Sequence, residues 1–558
     1  MKKMCVWTVL LTVLAFTGCQ NRQEMKLREI IRQTEQQARP LLKEANLAYW
    51  QGATKGDAQA FEQYADLNMQ LTDLFSNQEI FATLKDIKDG GSIKDTSLAR
   101  QLEILYPMYL ENQADTALLN AISQKEAALE LKYAEYRAQY HGRSINDNEV
   151  EQLLSHLTDS RELEAVWTAH KALGRTVADD VLEIVRLRNQ VARQLGFDNY
   201  HTMSLSLSGQ DPAEISALFD ELDALTRDGF KALKDEMDAA FAKRCHVQTD
   251  QLRPWHFQDR FFQEAPLLYP VDLDKYYRGQ SLEQLTTDFY ASLGLDVKNI
   301  MAHSDLYPKD NKNQHAFCTD IDSEGDVRIL CNISDNEQWM NTMLHEFGHG
   351  VYALGHDSQP VYLFREAAHT FTTEGIAMMF EKMSRNPEWM QKRLGFSDEE
   401  KQAIAENCFK SLRLQQLVFS RWTQVVYRFE KAMYADPEQD LNSLWKELVE
   451  KYQLLRYPEG RNEPDWAAKI HIALYPCYYH NYQLGALFAS QVHHYITANI
   501  TGRNDMKFDD YSVNAQEIGQ WLQANIFQVG RRYPWNEMIE RATGEKLTAK
   551  YYQMQFVD

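Results

Sequence analysis

Long stretches of this chain carry apolar residues three and four apart with almost nothing to interrupt them. Only 24 glycines and 14 prolines punctuate 558 residues, and these are the residue types that most often end helices. Segments 25–50, 56–76, 98–140, 148–172 and 176–196 keep helical apolar spacing. The spacing predicts a mainly α-helical protein. With 44% hydrophobic and 25% charged residues, the composition is globular and excludes wholesale disorder. The chain has 59 Lys and Arg against 80 Asp and Glu, a net charge of −21. Nucleic-acid binding needs a basic face, so no nucleic-acid partner is expected.

Residues 1–18 stand apart as an address, leaving 19–558 as one domain with no repeat, linker or composition shift. Lys2 and Lys3 precede an apolar run from Val6 to Phe16, which ends in Thr17-Gly18-Cys19. That run is too short to span a bilayer. It resembles a bacterial lipoprotein signal, which implies lipidation of Cys19 and a membrane contact made only through the lipid. Gln20 points to the outer membrane, on whichever face. Phe16 stands where an aliphatic residue is usual, which leaves an ordinary secretory signal as the alternative.

One β signal stands out. Segments 315–321 and 327–333 flank a turn-like Asp322–Asp326 and read as a hairpin. With Glu324-Gly325 as a two-residue loop, Cys318 falls opposite Cys331 in a non-hydrogen-bonded pair. Export permits a disulfide there; two reduced core thiols are the other reading. A helix follows, with a capping-box start at Ser334-x-x-Glu337 and a buried face of Met340, Met343, Leu344, Phe347, Val351 and Leu354.

Inside that helix lies His345-Glu346-Phe347-Gly348-His349. Spacing i, i+4 sets both imidazoles on one face, where they can grip one zinc ion, with Glu346 as general base. Such a zinc needs a third protein ligand. Glu374, 25 residues after His349, opens a second helix with an Ile376, Met379, Phe380, Met383 stripe and is the first candidate. Glu366 is the rival.

The motif, followed by Pro360-Val361-Tyr362-Leu363-Phe364-Arg365-Glu366 and Glu374-Gly375-Ile376-Ala377, resembles the zinc region of angiotensin-converting-enzyme-type peptidyl-dipeptidases. Glu44-Ala45-Asn46, Ser160-Arg161, Ser292-Leu293-Gly294-Leu295 and Lys469-Ile470-His471-Ile472 occur in the family's order. The resemblance implies one helical ellipsoid whose two halves enclose a deep channel, with one zinc at its base and N-terminal helices as a lid. It implies His345, His349 and Glu374 as metal ligands and Glu346 as the base. Tyr482 would stabilise the oxyanion, and Lys469, Tyr479 and Gln258 would bind the substrate's terminal carboxylate. Local spacing at Trp255-His256-Phe257-Gln258 is one residue longer than usual. Tyr475 and Tyr478 leave the tyrosine assignment ambiguous, with an inserted residue expected around Ala473–Cys477. His471 and His315 would bond substrate carbonyls, and Ala316 would present backbone to the peptide.

Three positions depart from the family. Met378 replaces an Asp that orients a zinc histidine, and Asn481 and Val449 replace two chloride-site arginines. Chloride is therefore expected not to be required. The expected activity is release of C-terminal dipeptides from short peptides with a free carboxylate. A thimet-oligopeptidase-like or carboxypeptidase-type enzyme is the nearest alternative. A lipid-anchored peptide-binding protein without turnover is the alternative from another class.

Overall fold

Side-chain caps decide where the helical stretches break. The computed structural model describes residues 4–503 and 506–557, with side chains from Arg22 onward. Segment 1–18 and the lipidation expected at Cys19 lie outside the residues described with side chains. The structure is 71% helical, with two small antiparallel strand pairs among the described residues, so the mainly α architecture is the one observed. Asp115 accepts from the Ala117 N–H, which satisfies an N-terminal donor. This cap splits the 98–140 stretch into helices Thr96–Leu110 and Thr116–Glu135. The stretch then ends in a hairpin absent from the helical reading, β1 (Ala138–Tyr140) with β2 (Arg143–Ile145). His141 and Gly142, at φ 49° and 74°, form the primed turn that such hairpins favour. Strands of three residues are too short to show a period. Conversely, the break read near 172–176 does not exist, because Ser160–Gln194 is one helix preceded by a short one, Asp147–His156.

The chain forms two compact units. The first comprises Met1–Gln113, Gly279–Thr373 and Ala515–Lys546. There the helices Met4–Lys55, Ala58–Phe75, Gln78–Gly90 and Thr96–Leu110 share a core of Leu27, Ile30, Leu71, Leu84, Leu98 and Tyr109. Thr34 Oγ1 meets the buried Tyr109 hydroxyl at 2.8 Å. The same unit holds the motif helix, Glu337–His356, and the hairpin of β3 (Phe317–Asp320) and β4 (Val327–Leu330). Ile329 of β4 sits beneath Gly350.

The hairpin register differs from the expectation. Cys318 pairs with Ile329 and Asp320 with Val327, two residues from the register that faces Cys318 with Cys331. The loop is wider because Asp320 Oδ1 accepts from Asp322 and Ser323 N–H, and Asp322 Oδ1 from Glu324 and Asp326 N–H. These Asx turns hold four residues where a two-residue turn was read. Cys318 and Cys331 are free thiols, so the disulfide reading is corrected.

The second unit comprises Ala114–Arg278, Glu374–Asn514 and Leu547–Asp558. Its long helices Ser160–Gln194 and Pro212–Arg244 pack on a third, Asp398–Ala435, which also packs with His480–Tyr495. Two glycines permit backbone contact. A Cβ on Gly174 would come 2.2 Å from the Pro464 carbonyl, and one on Gly375 would come 2.7 Å from that of Gly485. The boundary between the units falls inside one helix, Thr370–Glu381, between Thr373 and Glu374.

Candidate metal centre

The motif helix starts at Asn336, whose side chain accepts from Trp339 N–H, two residues beyond the capping box read from Ser334. Met340, Met343, Leu344 and Phe347 are fully buried, which fixes the rotation of the helix and the face that carries the histidines. His345 and His349 present their Nε2 atoms to each other at 3.1 Å. Two nitrogens about 2.0–2.1 Å from a tetrahedral zinc lie about 3.3 Å apart, so this spacing suits a shared ion.

Glu374 completes the set. Donor atoms of His345, His349 and Glu374 all lie within 4.8 Å of one another. Two imidazoles and one carboxylate are a donor set suited to a catalytic zinc. The helix bearing Glu374 begins at Thr370, four residues before the expected start. Glu366, the rival, pairs with Arg531 at 2.9 Å and stays 62% exposed. The orienting partner that Met378 cannot supply comes from elsewhere. His349 Nδ1 lies 2.7 Å from Thr373 Oγ1, and donation to that hydroxyl leaves Nε2 free for metal. Nothing in the sequence pattern marked Thr373.

Glu346 is buried; burial first, and then the Glu346 charge, raises the thiols of Cys318 and Cys331. Tyr482, on His480–Tyr495, stands beside Glu374. Burial raises its hydroxyl first and the Glu374 charge adds to this, so it remains a donor at neutral pH. The Gly375–Gly485 approach brings these two helices close enough for that pairing.

Lys469 ends the turn Asp465–Ala468. Asp465 accepts from Arg461 Nε and Nη2 at 2.7 and 2.6 Å and from the Tyr457 hydroxyl, which fastens this turn. The Lys469 ammonium lies 5.4 Å from the ring centres of Phe261 and Tyr479 and 5.6 Å from that of Trp422. Burial lowers it to about 8, against the raising effect of Asp259. His471 is lowered to about 4 by burial and then by Lys469, so it is neutral at pH 7. Its ring packs edge-on against Tyr479 at 5.2 Å. Tyr479 is buried and Tyr475 is 54% exposed, which separates two of the competing tyrosines. Tyr478 stacks edge-on with Tyr482 at 5.4 Å. Between Tyr475 and Tyr478, Cys477 adopts φ 56° and donates its N–H to Glu430.

One expected residue is differently employed. Gln258, at φ 65°, bonds the Ser155 carbonyl and the Leu267 N–H, so both ends of its amide are used by backbone. Gln263 instead accepts from Lys469 Nζ at 2.6 Å. The extra residue in the Trp255–Gln258 spacing is the one sign in the sequence that another glutamine stands beside Lys469. His315 is exposed, with its N–H on Asn313, and Ala316 directly precedes β3. At the two positions where the family resemblance implies chloride-site arginines, Asn481 accepts from Gln210 within a buried amide–imidazole chain to His480, and Val449 is buried.

Comparison with known proteins points to peptidases. A family model described as peptidase family M3 matches residues 160–558, and one described as angiotensin-converting enzyme matches 21–228. The chain is 23% identical to an angiotensin-converting enzyme of Haematobia irritans exigua over 73% of its own length and 72% of the relative's. It is 22% identical to thermostable carboxypeptidase 1 of Pyrococcus furiosus, covering 56% of this chain and 64% of that one. Identity to the angiotensin-converting enzyme of Bos taurus is 25%, over 51% of this chain and 22% of that protein.

Proposed function

The chain belongs to peptidase family M3, a family of zinc-dependent metallopeptidases, and we propose that it acts as a peptidyl-dipeptidase, removing dipeptides from the free C-termini of short peptides. Lys469 carries this reading: a buried ammonium calls for an anion, and the neighbouring Gln263 and Tyr479 can add neutral hydrogen bonds. Zinc held by His345, His349 and Glu374 would supply a Lewis acid that polarises the scissile carbonyl and acidifies water. Glu346 takes a proton from the attacking water and delivers it to the leaving amine. Tyr482 donates to the oxygen on which charge develops. His471, being neutral, can donate to a substrate carbonyl, and His315 with Ala316 would do so from the strand edge. Chloride is not required, since Asn481 and Val449 leave no cation at those positions. A steep chloride activation curve would contradict this.

Mass spectrometry of the products of one peptide as free acid and as C-terminal amide tests the reading, with and without chelator. Release of dipeptides from the acid alone, abolished by chelation, is the expected result; equal cleavage of the amide would refute carboxylate anchoring. The carboxypeptidase relative makes single-residue release the second reading, and product length separates the two. We further propose export with a lipid anchor at Cys19; among the described residues no helix is long and apolar enough to cross a membrane.

A further inference from the structure

A second group of donors closes the far end of the motif helix. Asp320, the last residue of β3, meets His356 and Asp357 at the helix C-terminus, with one donor atom of each within 4.8 Å of the others. His356 Nδ1 and Asp357 Oδ1 are 3.3 Å apart, and the two side chains are 9% and 6% exposed. Yet His356 Nδ1 and both carboxylate oxygens of Asp357 are buried without a hydrogen-bond partner.

The neighbouring acids show what is unusual here. Asp322 pairs with Lys43 at 3.0 Å, Asp326 with Arg328 at 2.6 Å, and Glu324 with Arg39 and Arg365. Among the described residues neither Asp320 nor Asp357 meets a Lys or Arg. A buried carboxylate pair without a cation is expensive. The C-terminal end of the helix dipole adds negative potential at the same point.

We propose that His356, Asp320 and Asp357 hold a second divalent cation, distinct from the one at His345, His349 and Glu374. One imidazole and two carboxylates suit zinc or a similar transition-metal ion better than calcium, which takes six to eight oxygens. The ion would tie the end of the motif helix to β3, a structural role. It would bear on no reacting group.

Cobalt, a ready substitute for zinc at mixed nitrogen and oxygen sites, tests the proposal. The full chain is stripped with chelator, reloaded with Co²⁺, desalted and assayed for metal by mass spectrometry. Two ions per chain are expected in the wild type, one in Asp357→Asn, one in a His345→Ala/His349→Ala double variant and none when all three changes are combined. Circular dichroism confirms folding, and Asp320→Asn replaces Asp357→Asn if the latter does not fold. A single ion in the wild type would overturn the proposal and leave the two carboxylates to share a proton. Retention of the second ion in both Asn variants would also overturn it.

Discussion

At the scale of single residues, Lys469 and Thr373 carry the sharpest expectations. Lys469 titrates near 8 in the free protein, and a substrate carboxylate needs its charged form. Below that pH the ammonium is present; above it the charge is lost. kcat/KM for a free-acid peptide should therefore fall about tenfold per pH unit above about 8, because this ratio reports pKa values of the free enzyme. Lys469→Gln should cost about 2–4 kcal/mol of binding, the usual effect of losing one member of a buried charged pair, and should flatten that limb. Any residual cleavage of the amide should respond to neither. A flat alkaline profile in the wild type would remove Lys469 from the site. Thr373→Val keeps the shape but deletes the acceptor for His349 Nδ1. Zinc affinity should drop about 10–100-fold, read by competition with a chromophoric chelator, and Thr373→Ser should restore it.

Among elements, the contact between helices Thr370–Glu381 and His480–Tyr495 is the most demanding. Gly375 has a polar backbone oxygen 2.7 Å and the Phe488 ring 2.8 Å from where a Cβ would stand. Gly375→Ala should cost about 1–3 kcal/mol through overpacking, measured by denaturant titration. It should also lower kcat, because the displaced helix carries Glu374 away from Tyr482. Loss of stability with unchanged kcat would show that this contact does not set the site. The β3–β4 hairpin teaches a related lesson. Its two strands were legible from alternation and turn residues, but the register was not. Asp320 and Asp322 consume four backbone N–H groups in the loop, and that local bonding shifts every pair by two. A two-residue shift keeps each side chain on its own face, so hydrophobic alternation could not detect it.

On the scale of the whole molecule, metal and fold should be coupled. An ion that binds only the folded chain stabilises it by about 2.7 kcal/mol at a hundredfold excess over its dissociation constant. Chelation should lower Tm and abolish peptidase activity together, and Zn²⁺ should restore both; Tm unchanged by full metal removal would show the sites to be preformed without help from the ion. Each unit is assembled from three separated segments, and one division passes through a continuous helix. No linker or composition change marks the crossings, since both units are helical and buried by the same residue types. The helical class and the His345–Glu346–His349 face followed from the sequence alone, because both depend on contacts three or four residues apart, within one helix. Glu374 was reachable by chemical need for a third ligand, with Glu366 as its competitor. The choices of Thr373, of Gln263 over Gln258 and of Asp320 beside Asp357 lay beyond it. Those partners are 24 residues apart for Thr373 and His349 and 206 for Gln263 and Lys469. Over such separations the packing of helices selects the neighbour, and only the tertiary structure holds that information.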